Sequence, residues 1–215
     1  MSIEEPQIQP FELPNGHPWP PARMTEQEFL DWCDEDVKAE WVDGEVIMMS
    51  PAGDQQVSFN GWVISVMLLF CEHFNLGEVR GPELMIRIGK PPRRRVPDVL
   101  FIAKARLDIL KKNHVEGAPD LVMEIVSPDS EARDWRDKYL EYQAAGVREY
   151  WAIDRMTQHM EAYALGSNGQ YIRINEIDGK ISSSVLPGFY LRPAWCWQEK
   201  LPKVVDVLKE LRILP

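Results

Sequence analysis

Apolar positions recur along this chain with two periods, one near 3.6 residues and one near 2, and the switches between them mark its elements. Between residues 55 and 75, Val57, Val63, Ile64, Met67, Leu68, Phe70 and Phe74 fall mostly at helical spacing, which predicts a long, largely buried helix. "TEQEFLDWCDED" opens with Thr25 and Glu28 at capping-box spacing, so a short helix is expected there. "AEWVDGEVIMMSP" reads as two strands around an Asp43-Gly44 turn. Strands are expected at about 78–88 and 97–102, a short helix over 104–112, and a strand over 120–127 with hydrophobic residues on both faces. A helix from about 130 to 145 is closed by Gly146, and "REYWAID" (148–154) and "HMEAYAL" (159–165) are aromatic, β-rich strands. Asp178-Gly179 suggests a further hairpin, and residues 203–213 an amphipathic helix. Hairpins first, then a strand-helix-strand unit over 120–154, predict an α/β (α+β) fold with a mixed central sheet flanked by helices.

Composition narrows the classes. With 215 residues, 45% hydrophobic and 27% charged, the chain matches one soluble globular domain able to bury a core. The longest apolar run, "WVISVMLLFC" (62–71), is about half of what a bilayer requires, so no membrane partner is expected. "MSIEEPQIQPFELPNGHPWPPAR" lacks the basic and apolar regions of a secretory signal, and its prolines predict an extended arm over 1–23 and a cytoplasmic address. A domain over 24–195 and a helical tail over 196–215 follow. Cys33, Cys71 and Cys196 are odd in number and far apart, which fits reduced thiols, and the four histidines form no HExxH.

The net charge of −10 works against a simple nucleic-acid binder, because Lys and Arg contacts to phosphate supply most of that affinity. Charge is unevenly spread, however. "KPPRRR" (90–95) is a basic cluster directly before Asp98, with "KAR" and "KK" following at 104–112. Two readings stay open for Arg93, Arg94 and Arg95: a solvated loop, or a loop that positions phosphates.

Two carboxylates stand out. Asp98 follows Pro97, which places it at a strand entrance. Glu124 sits among Leu121, Val122, Met123, Ile125 and Val126, sharing its face with Val122 and Val126, where its desolvation costs several kcal/mol unless a positive group meets it. If the two strands are neighbours, the acids converge where the sheet opens, and oxygen-only ligation selects a hard cation such as Mg2+ or Mn2+. The alternative partner is a buried Arg or Lys from a helix. "PD" followed by an acid inside an apolar strand favours the metal.

"VPDVLFI", "PDLVMEIVSP" and "RDKYLEYQAAGVREYWAID", with "AEWVDGEVIMMSPAG" upstream, resemble the Uma-two type of bacterial endonucleases, long labelled a domain of unknown function, within the PD-(D/E)XK superfamily. The resemblance covers roughly residues 24–195. It implies a restriction-endonuclease-like core with the metal site at a fork between strands. Asp98 and Glu124 match the family acids, and the resemblance adds the backbone carbonyl of Ile125 as a metal ligand. Val126 departs from the superfamily pattern by occupying the usual lysine position. The resemblance implies that the lysine has moved to the following helix, as Lys138 in "DKYLEY", and that Glu40 in "AEWVDG" is an upstream acid near the metal.

Trp135, Tyr139 and Tyr142 mark the apolar stripe of that helix, and Lys138 lies at its border, from which its ammonium can reach the strand end. It can equally form an ordinary surface pair with Asp134 at i, i+4. Tyr142 and Gln143 are weaker polar candidates, Tyr142 reading better as core packing. The expected reaction is hydrolysis of a phosphodiester of nucleic acid, DNA first, by a chain for which the resemblance makes a homodimer plausible. A non-catalytic interaction protein on the same fold, favoured by the acidic charge, is the alternative. A metal-free hydrolase using paired carboxylates on sugars ranks third, since the eight tryptophans lie mostly in strand and helix patterns.

Overall fold

A computed structural model of the chain describes residues 17–34, 36–127 and 133–215. The described residues divide into two compact units, one ending at Met49 and one comprising Ser50–Pro215.

The first unit holds α1 (Glu26–Trp32), β1 (Ala39–Val42) and β2 (Glu45–Met48). Thr25 caps α1 with the reciprocal Glu28 contact that the sequence predicts. β1 and β2 pair antiparallel across Asp43-Gly44, whose φ values of 51° and 93° are the left-handed pair that a two-residue hairpin needs.

In the second unit, chain order gives α2 (Asp54–Phe74), β3 (Gly77–Arg80), β4 (Met85–Ile88), β5 (Arg93–Arg95), β6 (Val99–Ala103), a 3-10 turn (Lys104–Ile109), β7 (His114–Glu116), β8 (Leu121–Ile125), a π turn (Arg133–Asp137), α3 (Lys138–Ala145), β9 (Glu149–Asp154), β10 (His159–Leu165), β11 (Tyr171–Arg173), β12 (Ile181–Ser182), β13 (Tyr190–Leu191), α4 (Pro193–Cys196) and α5 (Val204–Glu210). The main sheet runs β11-β10-β9-β8-β6-β3. Its only parallel pair among the described residues is β8 with β9, joined by α3 as the expected strand-helix-strand unit.

β8 is buried on both faces. Leu121, Met123 and Ile125 join the core that α2 closes with Phe59, Val63, Val66, Met67 and Phe70. Val122 and Val126 join the second core with Tyr142 of α3. α2 is long and apolar enough to cross a membrane, but these contacts make it a core helix. Val207 and Leu208 of α5, with Leu211, Ile213 and Cys196, belong to the same core as α2.

Three expectations are corrected. The stretch 78–88 is two strands in different pairings, because Gly81 and Pro82 interrupt it. The basic stretch is not a loop: Arg93–Arg95 form β5, which pairs antiparallel with β4, while β4 pairs in parallel with β7. The helix over 104–112 shortens to a 3-10 turn broken at Arg106, whose φ is −124°. Pro128, Asp129, Ser130, Glu131 and Ala132, where the sequence predicts the start of a helix, lie outside the described residues. From Arg133 the chain makes one π turn before α3, which closes at Gly146 with φ 85° as expected.

All three cysteines are free thiols. Burial pushes the Cys71 thiol up to about 12, and burial likewise raises Cys196 to about 12. Unfolded thiols release their protons near pH 8.5, well before these folded ones. Folding therefore retains protons between those values, and the resulting stabilisation is complete below about pH 8.5 and is lost as pH rises towards 12. Melting temperature should fall steadily between pH 8.5 and 11 in a calorimetric series, less so for Cys71→Ala; a flat profile would contradict this.

Candidate active site

The antiparallel register of β6 and β8 sets Val99 opposite Met123, so Asp98, one residue before β6, comes opposite Glu124. Pro97 lacks an amide hydrogen, and there the ladder ends. Ile125 N donates instead to Asp98 Oδ2 at 2.7 Å, tying the acid to the backbone of β8. The Ile125 carbonyl accepts a long bond, 3.4 Å, from Gln56 Nε2 in the first turn of α2. Sequence reasoning missed Gln56, which carries no motif.

Glu124 is 2% exposed. Tyr142 OH donates to its Oε1 at 2.7 Å, and Lys138 Nζ lies 2.9 Å from its Oε2. The ammonium also lies 3.1 Å from Asp134 Oδ1. The group that meets Glu124 is therefore a lysine from the following helix, which the sequence set against a metal as an alternative. It is the same lysine that the family resemblance points to. The surface-pair reading is corrected: Lys138 is 6% exposed and Asp134 1%. The π turn widens the backbone just before α3, and such turns recur at functional sites.

Tyr142 is the core residue that the sequence predicts, and it is in addition a hydrogen-bond donor on the candidate acid. Its ring lies 5.3 Å from that of Tyr150, whose OH donates to the Asp134 carbonyl at 2.7 Å. Burial, and then the negative charges of Glu124, Asp134 and Asp98, hold the Tyr150 hydroxyl well above the usual phenol range, so it stays a neutral donor. Gln143 serves elsewhere: its Oε1 accepts from Tyr171 N and seats β11.

For the arginines, the solvated-loop reading is corrected at Arg94 and Arg95, which are buried on a strand. Arg95 is 1% exposed and donates from Nε and Nη2 to the two oxygens of Glu141 on α3, both at 2.8 Å. Arg93 Nε is 3.9 Å from Glu141, and Arg94 is buried. A fork-to-fork pair inside the protein is a structural joint between β5 and α3, and it leaves the Arg95 guanidinium committed away from solvent. Glu40 lies on β1 in the first unit, where it is buried.

Among the described residues, no three His, Cys, Asp or Glu side chains gather into a ready metal cluster. The arrangement offers two carboxylates and one carbonyl, all oxygen, with an ammonium beside them.

Residues 26–194 match the family described as Uma2, putative restriction endonuclease. The chain belongs to that family. Among its relatives, the uncharacterized protein slr1290 of Synechocystis sp. (strain ATCC 27184 / PCC 6803 / Kazusa) is 28% identical over 162 residues, covering 73% of this chain and 82% of that protein. A crystal structure of a putative nuclease belonging to DUF820 from Anabaena variabilis ATCC 29413 has the same fold, with a TM-score of 0.67 at 20% identity, covering 81% of this chain and 97% of that one. The mixed sheet flanked by helices is thus the Uma2 chain's shared architecture, and hydrolysis by a nuclease is the class of activity its family points to.

Proposed function

We propose that the chain is a divalent-metal-dependent endonuclease that hydrolyses phosphodiester bonds of DNA. The observation that carries this reading is the convergence of Asp98, Glu124 and Lys138 at the end of the β6–β8 ladder. Family membership supports the nuclease class, and the donor chemistry supports the metal. A carboxylate oxygen or carbonyl that accepts one hydrogen bond keeps a second lone pair, so Asp98, Glu124 and Ile125 can still ligate. Mg2+ is commonly held by one or two carboxylates and its own waters, so a set of this size fits.

When bound, the cation would lower the pKa of a water and neutralise charge on phosphate oxygens. The chain's residues do the rest. Asp98 is aimed by Ile125 N, and Glu124 by Tyr142 OH. Lys138 brings a positive charge to the side of the site where the reacting phosphate gains negative charge, and its Nζ protons can hold the attacking water in line. Val122 and Val126, buried on the same face, would give the site an apolar floor. Glu40 enters this reading on the resemblance alone, as does assembly into a homodimer.

One observation favours the non-catalytic reading: both Glu124 oxygens already have partners within the protein. Incubation of the pure chain with supercoiled plasmid, linear duplex, single-stranded DNA and RNA, with Mg2+ or Mn2+ and then with chelator, separates the two. The proposal expects DNA cleavage that chelator abolishes. Cleavage of RNA alone would correct the substrate, and inertness toward every substrate would favour an interaction protein.

A further inference from the structure

Lys138 stands within ion-pair distance of Glu124, a candidate metal ligand, and of Asp134, which is not one. We propose that Lys138 is a resident counter-ion that a divalent cation must displace from Glu124, and that Asp134 is the positioning residue that receives the displaced ammonium. This rests on the reading of Asp98 and Glu124 as metal ligands, and it concerns how that site is switched on.

The geometry supports each part. The ammonium stands 2.9 Å from Glu124 Oε2, where a ligated cation would need the same oxygen. Two positive centres on one oxygen lie within about 4 Å of each other, a separation at which like charges repel strongly away from bulk water. The lysine cannot simply retreat into solvent, because its side chain is 7% exposed and enclosed by protein. Asp134 Oδ1 already stands 3.1 Å from Nζ, at i, i+4 across the junction of the π turn and α3. A small rotation about the last bonds of the flexible stem moves the charge from one carboxylate to the other, with no movement of the helix.

In this arrangement Asp134 does two things. It keeps the ammonium buried and charged while the cation occupies Glu124, and it holds Lys138 close enough to act on a phosphate bound there. Metal affinity is then set by a competition between Lys138 and the cation for Glu124, and Asp134 biases that competition toward the cation.

Mn2+ affinity measured by titration calorimetry on the wild type, Lys138→Met, Asp134→Asn and the double variant tests this without reference to cleavage. Removing the competitor should tighten Mn2+ binding about tenfold, and Asp134→Asn should weaken it about tenfold when Lys138 is present. In the Lys138→Met background, Asp134→Asn should change affinity by less than about twofold, because there is no ammonium left to receive. Equal effects of Asp134→Asn in both backgrounds would mean simple charge removal and would overturn the proposal, as would no effect in either. Absence of Mn2+ binding in all four proteins would remove the metal site itself, and this inference with it. Should Asp134→Asn not fold, the ammonium resonance of Lys138 in the wild type decides: on addition of Mg2+ its hydrogen-bond coupling to Glu124 should vanish and one to Asp134 should appear. Couplings indifferent to Mg2+ would overturn the proposal.

Discussion

Lys138→Met should lower the melting temperature in metal-free buffer by about 6–20 °C, the equivalent of about 3–5 kcal/mol in a domain of this size. The lysine is the counter-charge that Glu124 and Asp134 share, and all three side chains are buried. Methionine fills the space but leaves the acids facing each other. Mn2+ should restore much of the loss, since a cation that binds only the folded state stabilises it and here also replaces the missing charge. Cleavage should nevertheless fall by about a hundredfold at saturating metal, the usual scale for a positioned electrostatic group. Thermal scans with chelator and with Mn2+, beside single-turnover cleavage, check both. An unchanged metal-free melting temperature would show that the ion pair does not hold the site together.

Arg95→Ala should be comparably damaging for a different reason. Its two bonds to Glu141 are part-buried, and truncation leaves the carboxylate facing Arg93 at 3.9 Å, at a cost of about 3 kcal/mol. Arg93→Ala, whose guanidinium is partly exposed and only 3.9 Å from the same acid, should cost within about 1 kcal/mol. The double variant Arg95→Ala/Glu141→Ala should recover part of the loss, because no charge is then left unpaired. Denaturant melts of the set check this ordering. Equal, small losses for both arginines would return the stretch to solvated surface.

Much of the scaffold was legible in the sequence because local patterns there agree with the final packing. The Asp43-Gly44 hairpin, the capping box at Thr25, the length of α2 and the two-faced burial of β8 each follow from residues close together in the chain. The acids of the site were legible for the same reason: a charge inside an apolar strand is visible without knowing its partner. Arg95 was misread because "RRR" looks like solvent-facing charge until Glu141, 46 residues away, is brought against it. The contacts of Asp134 and Lys138 straddle the junction of the π turn and α3, and a π turn has no periodic signature in the sequence. Gln56 was invisible because a glutamine in the first turn of a helix signals nothing until β8 lies beneath it.

Metal-dependent cleavage by a purified preparation could come from a contaminant, so the central claim is tested most directly by single-turnover nicking of supercoiled plasmid in millimolar Mn2+, comparing the wild type with Glu124→Gln prepared in parallel. The amide keeps an oxygen for Tyr142 OH and leaves Lys138 with Asp134, so the variant should fold. The account predicts chelator-sensitive nicking by the wild type and a rate at least about a hundredfold lower for the variant, because an amide is a poor ligand for a hard cation and removes one of only two carboxylates. Equal rates for the two folded proteins, or a wild type that leaves the plasmid intact, would contradict it.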